Sequence, residues 1–368
     1  MRYFPLLCSA LLSVTFTSSI HTASAADKAL QIKAPYNLPV KNIDFGYNDP
    51  RNKFQSCPAP KSVPPKDLEI YSVYDQNDPT RSSIDPKAEI EYKRATRGIV
   101  AYEQDLIRMS NNYMRSRAQN SAYAACVLSW LSEAAKIGAF TGEANKGGIA
   151  TRQWGLATVA SAYIQIQKDP FLDLRHKKIV EKWLRNIGNL VIKDYPFNSP
   201  LKSRHNNHLY WAAWSVTAAS VALDDEDFFK WGIHQFKLAT LQINPDGTLP
   251  LELAREGKAL HYHLFAITPL VMIAETAARN GVNLYDFRQG YFHRLLKQSL
   301  KALDNPAYFE SVALAPQLKG KDVKPSQLTW LEPYHSRYPS TSTKKWLKKL
   351  SPTSLRRVGG NTSLLYRK

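Results

Sequence analysis

Two segments of the 368-residue chain combine side chains that could move protons and bind an anion. The first, residues 204–211, reads Arg-His-Asn-Asn-His-Leu-Tyr-Trp and opens an apolar stretch. At helical spacing Asn207 and His208 share one face with Trp211, so an amide, an imidazole and an indole meet where a core helix should be apolar. The alternative is an N-cap at Asn206 or Asn207 followed by a hydrogen-bonded core histidine.

The second segment, residues 244–263, contains an Asn-Pro-Asp-Gly turn, a short loop and the start of a helix. Arg255 precedes the helix, and Tyr262 lies within it between His261 and His263. An arginine can neutralise an anion, and a tyrosine can give or take a proton. The same residues also fit a surface arginine and a core tyrosine with a hydrogen-bonded hydroxyl.

Helices are predicted to position both segments. A long helix begins at Asp85-Pro86, because Asp is a good N-cap and Pro suits the first helical position. Apolar residues at helical spacing predict further helices at about 119–137, 151–167, 174–194, 206–223, 225–241, 260–279 and 286–303. Because no stretch shows the alternation of a strand, the chain is predicted to be all-α.

The distribution of apolar residues predicts inner and outer helices. Residues 206–223 are apolar on more than one face, whereas residues 176–192 carry a Lys and Arg stripe. This alternation favours an α/α toroid formed by one domain, residues 26–368, over a globin-like or irregular bundle. Residues 344–368 are basic and rich in Ser, Thr and Gly, and they are predicted to be a mobile tail.

The start of the chain predicts a secretory signal peptide, residues 1–25. Arg2 precedes an apolar run at 4–16, and Ala23-Ser24-Ala25 is a small-residue site for cleavage after Ala25. No later stretch is apolar enough to span a membrane, so no membrane insertion is expected. In an oxidising compartment Cys57 and Cys126 could form a disulfide, although unpaired cysteines fit the sequence equally well.

The net charge points to an anionic partner. Lys and Arg total 49 against 31 Asp and Glu, a net charge of +18. For an exported protein, an acidic polysaccharide, an anionic lipid surface or the cell envelope fits this charge better than nucleic acid. No Cys and His pattern indicates a metal site.

The two segments together resemble the alginate lyases of polysaccharide lyase family 5, the poly(β-D-mannuronate) lyases. The shared residues are Asn207-His208, Trp211, Asp246-Gly247-Thr248-Leu249-Pro250, Glu252, Arg255 and Tyr262, with further similarity at Cys57-Pro58, Arg152-Gln153-Trp154 and Trp330-Leu331-Glu332-Pro333-Tyr334. The resemblance implies an incomplete α/α toroid with a deep cleft and cleavage of polymannuronate by β-elimination, without a metal or other cofactor. It also implies a periplasmic enzyme that clears stray alginate during secretion. We expect a monomer, with the alginate export machinery as a further partner.

The resemblance also assigns roles to the site residues. Asn207 and Arg255 would neutralise the uronate carboxylate, and Tyr262 would take the C5 proton and protonate O4. A base role requires a lowered tyrosine pKa, which Arg255 or His208 nearby could provide. His208 would either tune Tyr262 or act as the base itself, and Trp211 would offer a flat face to a sugar ring or belong to the core.

Residues 66–83 are the candidate lid loop over the cleft. Family members often carry a lysine here in a Ser-Lys-Tyr context, whereas this chain has Ser72-Val73-Tyr74. Lys66 or Arg81 could supply the missing cation and, with Tyr74, contact the substrate.

Two other functions fit parts of the sequence. An α/α-toroid glycoside hydrolase would need two carboxylates beside the scissile bond, and Asp246 and Glu252 are the candidate pair. A non-catalytic envelope protein that binds polyanions would explain the charge, but it would leave Asn207, Arg255 and Tyr262 without a role.

Overall fold

The computed structural model describes residues 31–39 and 57–366. From Ile32 onward the described residues belong to one compact unit. The predicted signal peptide and its cleavage site after Ala25 lie outside the described residues. Within the described ranges, no helix combines the length and apolar character needed to cross a membrane.

Helices dominate the structure, as predicted. They are α1 (Pro86–Arg115), α2 (Ser121–Lys136), α3 (Lys146–Ile166), α4 (Leu174–Asp194), α5 (Asn207–Leu223), α6 (Glu226–Leu241), α7 (Pro250–Leu253), α8 (Ala259–Arg279), α9 (Phe287–Asp304), α10 (Ala307–Ala313), α11 (Leu331–Arg337), α12 (Thr341–Leu350) and α13 (Thr362–Tyr366). Strands β1 (Ser354–Leu355) and β2 (Gly360–Asn361) form a short antiparallel hairpin.

Inner and outer helices alternate along the chain. Helices α1, α3, α5, α8 and α11 contact one another in that order, while α2, α4, α6 and α9 pack outside them. Nearly every residue of α3, α5 and α8 is buried, whereas α4 buries only one stripe that includes Trp183 and Leu184. Burial on all sides explains why the inner helices carry apolar residues on more than one face. The arrangement confirms the predicted all-α toroid.

Side-chain caps fix the helix starts. Asp85, Asn120, Asp173, Asn206 and Asp225 each accept hydrogen bonds from backbone N–H groups in the first turn of the helix that follows. These caps confirm most predicted starts to within a few residues.

Helix α3 starts earlier than predicted. Its cap is Asn145, so Gly147 and Gly148 lie inside the first turn, before the predicted start at about residue 151. A side chain at Gly148 would meet the Leu68 carbonyl oxygen at 1.9 Å. The two glycines therefore allow residues 68–70 to lie directly against the start of α3.

The expectation of a mobile tail at 344–368 is wrong for the residues described up to Tyr366. Helix α12 buries Trp346 and Leu347, and the hairpin and α13 bury Val358 and Leu365. The described lysines of this segment occupy exposed positions around these few apolar anchors, whereas Ser363 is buried. The basic, Ser-rich composition therefore did not indicate that this segment is folded and packs against α1, α3 and α11.

A disulfide joins Cys57 to Cys126 of α2, with the Cα atoms 5.4 Å apart. Beside it, the indole N–H of Trp130 donates to the Pro58 carbonyl at 2.9 Å. The bond resolves the alternatives that the sequence left open, and it ties the segment that precedes the candidate lid loop to α2.

Candidate active site

A tight turn and two helix starts position the second segment. The turn at 244–248 places Gly247 at φ 87°, where a side chain would meet the Arg294 carbonyl oxygen at 2.6 Å. Helix α7 follows, then Arg255, then α8 with Tyr262 in its first turn. His263 links the two parts, because its Nε2 accepts from the Leu249 N–H at 2.8 Å.

Tyr262 lies against a cation and a second tyrosine. The Arg255 guanidinium carbon is 3.7 Å from the centre of the Tyr262 ring, and the Tyr74 hydroxyl is 2.5 Å from the Tyr262 hydroxyl. The positive charge lowers the pKa of Tyr262, but burial of a side chain only 8% exposed raises it by more. The net pKa is above the ordinary value, so the expectation of a lowered tyrosine pKa is wrong for this state.

Arg255 also holds the lid loop. Its Nε donates to the Thr80 carbonyl at 2.8 Å and its Nη2 donates to the Arg81 carbonyl, while the Ser82 hydroxyl donates to the Arg255 carbonyl. The planar guanidinium suits this fork-like arrangement of acceptors. The lid loop is therefore held at the same cation that contacts Tyr262.

The outer half of the lid loop folds around Asp78. Its carboxylate accepts backbone N–H groups from Thr80, Ser82 and Ser83, which holds the pKa of Asp78 well below its usual range. The Asp75 N–H also donates to the Ser83 carbonyl at 3.1 Å. These bonds give the loop a defined shape of its own.

Asn207 begins α5 and binds Glu252 of α7. Its Nδ2 lies 3.1 and 2.9 Å from the two carboxylate oxygens, and its backbone N–H donates to Oε1 at 2.8 Å. Both side chains are buried, and burial raises the pKa of Glu252 to about 7. The Asn207 Oδ1 is buried without a hydrogen-bond partner among the described residues.

His208 packs in a cluster with Trp154 and Arg357, a contact that the sequence did not indicate. Its ring stacks on Trp154 of α3, with centroids 6.0 Å apart, and the Arg357 guanidinium lies 3.8 Å from the Trp154 ring centre. Burial, together with the charges of Arg204, Arg255 and other cations, lowers the pKa of His208 to about 4. The imidazole is therefore neutral near pH 7.

Three residues predicted to contact the substrate, Trp211, Lys66 and Arg81, make contacts within the protein. Trp211 is completely buried against Phe265, 5.1 Å away, so it belongs to the core and offers no free face to a sugar. Lys66 is exposed beside the loop at 138–142, where its carbonyl accepts from the Gly142 N–H at 2.9 Å. The Arg81 side chain turns back within the lid loop toward the Asp75 carbonyl, 3.4 Å away.

The carboxylate pair suggested for a glycoside hydrolase serves other contacts. Asp246 accepts from the Tyr308 hydroxyl and from Thr248 within the turn, while Glu252 is fully buried against Asn207. Neither arrangement leaves the two carboxyl groups facing one another across an open site, which argues against the hydrolase mechanism.

The chain is similar to known proteins over nearly its whole length. A family model described as "Alginate lyase" matches residues 69–309. The chain is 33% identical to an alginate lyase of Pseudomonas syringae pv. syringae, with 97% of this chain and 93% of the relative covered, and 31% identical to one of Cobetia marina, with 97% and 95% covered.

Solved structures show the same relationship. Alginate lyase A1-III from Sphingomonas species A1 has a TM-score of 0.71 at 26% identity and covers 87% of this chain and 91% of its own. A histidine variant of alginate lyase A1-III complexed with a tetrasaccharide has a TM-score of 0.73 at 26% identity, with 87% and 90% covered. The sequence and the fold together show that the chain belongs to the alginate lyase family.

Proposed function

We propose that the protein cleaves the 1,4 bonds of poly(β-D-mannuronate) in alginate by β-elimination. The observation that carries the proposal is the contact of Arg255 and Tyr262 with Tyr74 of the candidate lid loop, in a chain of the alginate lyase family. The product would carry a 4,5-unsaturated uronate at its new non-reducing end.

Elimination from a uronate requires neutralisation of its carboxylate. The C5 proton is α to that group, and its removal spreads a second negative charge onto the carboxylate oxygens. Asn207 and Arg255 are the proposed donors, and a preorganised donor of this kind can contribute on the order of 3 kcal/mol to lowering the barrier. Arg255 has five N–H donors, so the lid-loop carbonyls need not occupy them all.

The protonation states suggest how the proton transfers are divided. His208 is neutral, so its imidazole can accept the C5 proton, and the electrons of the C5–H bond form the C4=C5 double bond as the C4–O4 bond breaks. Tyr262 keeps its phenolic proton, which it can donate to the departing O4. In this assignment the base begins the reaction without the proton that it accepts, and the acid begins it with the proton that it donates.

The lid loop would supply the contacts on the outer side of the substrate. Tyr74 touches Tyr262, and the Lys258 ammonium lies 4.6 Å from the centre of the Tyr74 ring. Lys258 therefore replaces Lys66 and Arg81 as our candidate for the lysine that the family carries at the position of Val73. Substrate entry would require residues 66–83 to open while Arg255 exchanges lid-loop carbonyls for a carboxylate.

We propose a periplasmic location, in keeping with the predicted signal peptide. There a monomer that needs no metal or other cofactor would remove stray alginate during polymer secretion, next to the export machinery. The net charge of +18 supports attraction of the polyanion by long-range electrostatics.

The direct test is ultraviolet absorbance during incubation with polymannuronate and, separately, with polyguluronate. Only elimination creates the conjugated uronate chromophore, so a rise on polymannuronate alone supports both the reaction and its specificity. Binding of polymannuronate without any rise would favour the polyanion-binding alternative.

Tyr262→Phe tests the proton donor. The variant retains the ring under Arg255 but cannot protonate O4, so we expect turnover to fall by about 10²-fold or more while oligomannuronate binding persists. Turnover close to that of the wild type would remove Tyr262 from the mechanism.

His208→Ala tests the base. If His208 takes the C5 proton, we expect a loss of about 10²-fold or more that raising the pH does not restore. If the Tyr262 phenolate were the base, the rate of this variant would instead climb about tenfold per pH unit toward alkaline pH. A pH profile of kcat distinguishes the two mechanisms.

A further inference from the structure

The Asn207 amide donates its NH2 group to Glu252, so the edge that remains free carries the oxygen. Neutralising a uronate carboxylate requires an N–H donor on that edge instead. An ionised carboxylate can only accept hydrogen bonds, so it binds the NH2 edge of the amide, whose Nδ2 lies 3.1 and 2.9 Å from the two Glu252 oxygens. The buried Oδ1 is left without a partner among the described residues. If Asn207 is to neutralise the uronate carboxylate, as proposed, the amide edge that is free of Glu252 must meet that carboxylate, and an oxygen on that edge would repel it.

A half-turn of the amide removes the conflict, provided that Glu252 carries a proton. Oδ1 would then occupy the present place of Nδ2, 2.9 Å from the Glu252 Oε2 and 3.1 Å from Oε1, and the shorter contact needs a hydrogen on Oε2. The Asn207 backbone N–H would keep its bond to Oε1 at 2.8 Å. Nδ2 would point away from Glu252 with free N–H donors.

The surroundings of Glu252 allow either protonation state near neutral pH. Complete burial favours the neutral acid, while the Asn207 N–H groups and the Arg255 charge favour the anion, and burial prevails to raise the pKa to about 7. Tyr210 of α5 is the other titratable group that interacts with Glu252, and its own pKa is far above neutral. The nearby phenol therefore stays uncharged.

We propose that Glu252 is a positioning residue that sets the direction of the Asn207 amide. When protonated, it holds Nδ2 toward the substrate carboxylate, and when ionised, it turns Nδ2 away. Substrate binding above neutral pH would then take up one proton from solvent onto Oε2, and product release would return it. The inference rests on the proposed function only in requiring a donor at the uronate carboxylate.

Glu252→Gln is the sharpest variant, because glutamine imitates the protonated acid. Its Nε2 can donate to the Asn207 Oδ1 while its Oε1 accepts the Asn207 backbone N–H. For the wild type we expect kcat/KM on polymannuronate to fall about tenfold per pH unit above about pH 7. In Glu252→Gln this fall should be absent, so the variant should exceed the wild type at alkaline pH.

The matched control is Glu256→Gln, which makes the same chemical change at an exposed site nearby. It should keep the alkaline fall of the wild type. An identical fall in Glu252→Gln and the wild type would overturn the proposal, because a merely structural carboxylate would not shift the profile selectively.

Proton uptake gives a second readout that does not depend on turnover. In the Tyr262→Phe background, calorimetric titration with oligomannuronate in buffers of different ionisation enthalpy should show uptake of close to one proton at pH 8. The uptake should vanish when Glu252→Gln is added, and its absence with Glu252 intact would overturn the proposal even if Glu252→Gln failed to fold. Failure of the proposed function would instead appear as no unsaturated product from the wild type.

Discussion

The Tyr262 hydroxyl experiences two opposing influences, and their balance decides which proton it can move. The guanidinium of Arg255 favours the phenolate, whereas exclusion of water and the hydroxyl of Tyr74 favour the phenol. Burial is the largest of these effects, so the resting side chain is a proton donor. Opening of the lid loop would rehydrate the pair and reduce the effect of burial.

Arg255 should be the least replaceable cation of the site. Arg255→Lys keeps the charge but loses the fork that binds the Thr80 and Arg81 carbonyls, and Arg255→Ala loses both. We expect kcat/KM to fall by about 10²–10³-fold for Ala, with lower kcat and higher KM, and by less for Lys. Lys258→Ala, a nearby cation without lid-loop hydrogen bonds in the structure, should cost less than either. Steady-state kinetics on polymannuronate provide the check, and an unchanged kcat/KM in Arg255→Ala would contradict the role.

The sequence brought Asn207, Arg255 and Tyr262 to notice through residue type and spacing, yet it could not rank burial against charge. It also could not tell which side of an all-apolar helix faces a cleft, which is why Trp211 suggested a sugar platform and proved to be core. Arg357 approaches Trp154 from more than 200 residues away, and no local pattern indicates such a contact.

At the scale of elements, His263 of α8 anchors the segment 244–255, which contains the turn and α7, to its own helix. Nε2 accepts from the Leu249 N–H and Nδ1 faces the Ala259 carbonyl at 2.8 Å, so the ring must be neutral with its proton on Nδ1. The residue is fully buried, and burial lowers its pKa to about 4. The geometry of Arg255 and Glu252 thus depends on an uncharged histidine whose hydrogen bonds go to the backbone of Leu249 and Ala259.

The buried, neutral state of His263 predicts that the folded protein loses stability in mild acid. Between about pH 6.5 and pH 4 the unfolded chain binds a proton at His263 that the folded protein excludes, so the free energy of unfolding falls as the pH falls, by on the order of 3 kcal/mol. Unfolding by urea at several pH values measures this. His263→Gln should be less stable at pH 7 but show a shallower decline, whereas His234→Gln, at an exposed position of α6, should follow the wild type. Parallel declines in all three proteins would contradict the assignment.

Most helices could be predicted from caps and apolar spacing, because both signals are local. The exceptions depend on distant partners. Helix α3 begins at Lys146 and not near residue 151 as predicted, and the close approach of residues 68–70 explains the small size of Gly147 and Gly148 in its first turn. The segment at 344–366 has few apolar residues, and only the tertiary structure shows that they are anchors.

For the whole molecule, the disulfide between Cys57 and Cys126 should stabilise the fold. It closes a loop of 69 residues in sequence, and crosslinks of this kind typically contribute about 2–4 kcal/mol, largely by restricting the unfolded chain. The double variant Cys57→Ser and Cys126→Ser should unfold at lower urea concentration than the oxidised wild type. The reduced wild type is the matched control and should resemble the variant, whereas equal midpoints for oxidised and reduced protein would contradict the prediction.

Arg357 lies in a hairpin late in the chain, and its guanidinium packs on Trp154 beside His208. Its carbonyl also accepts a hydrogen bond from the indole N–H of Trp214. Polypeptides are synthesised from the N-terminus, so Asn207, Arg255 and Tyr262 all exist before this residue is added. A nascent chain can therefore contain every proposed donor and base and still lack the cation that packs on Trp154 beside His208. The order of synthesis thus postpones completion of the proposed site until residue 357 has been joined and its hairpin has docked.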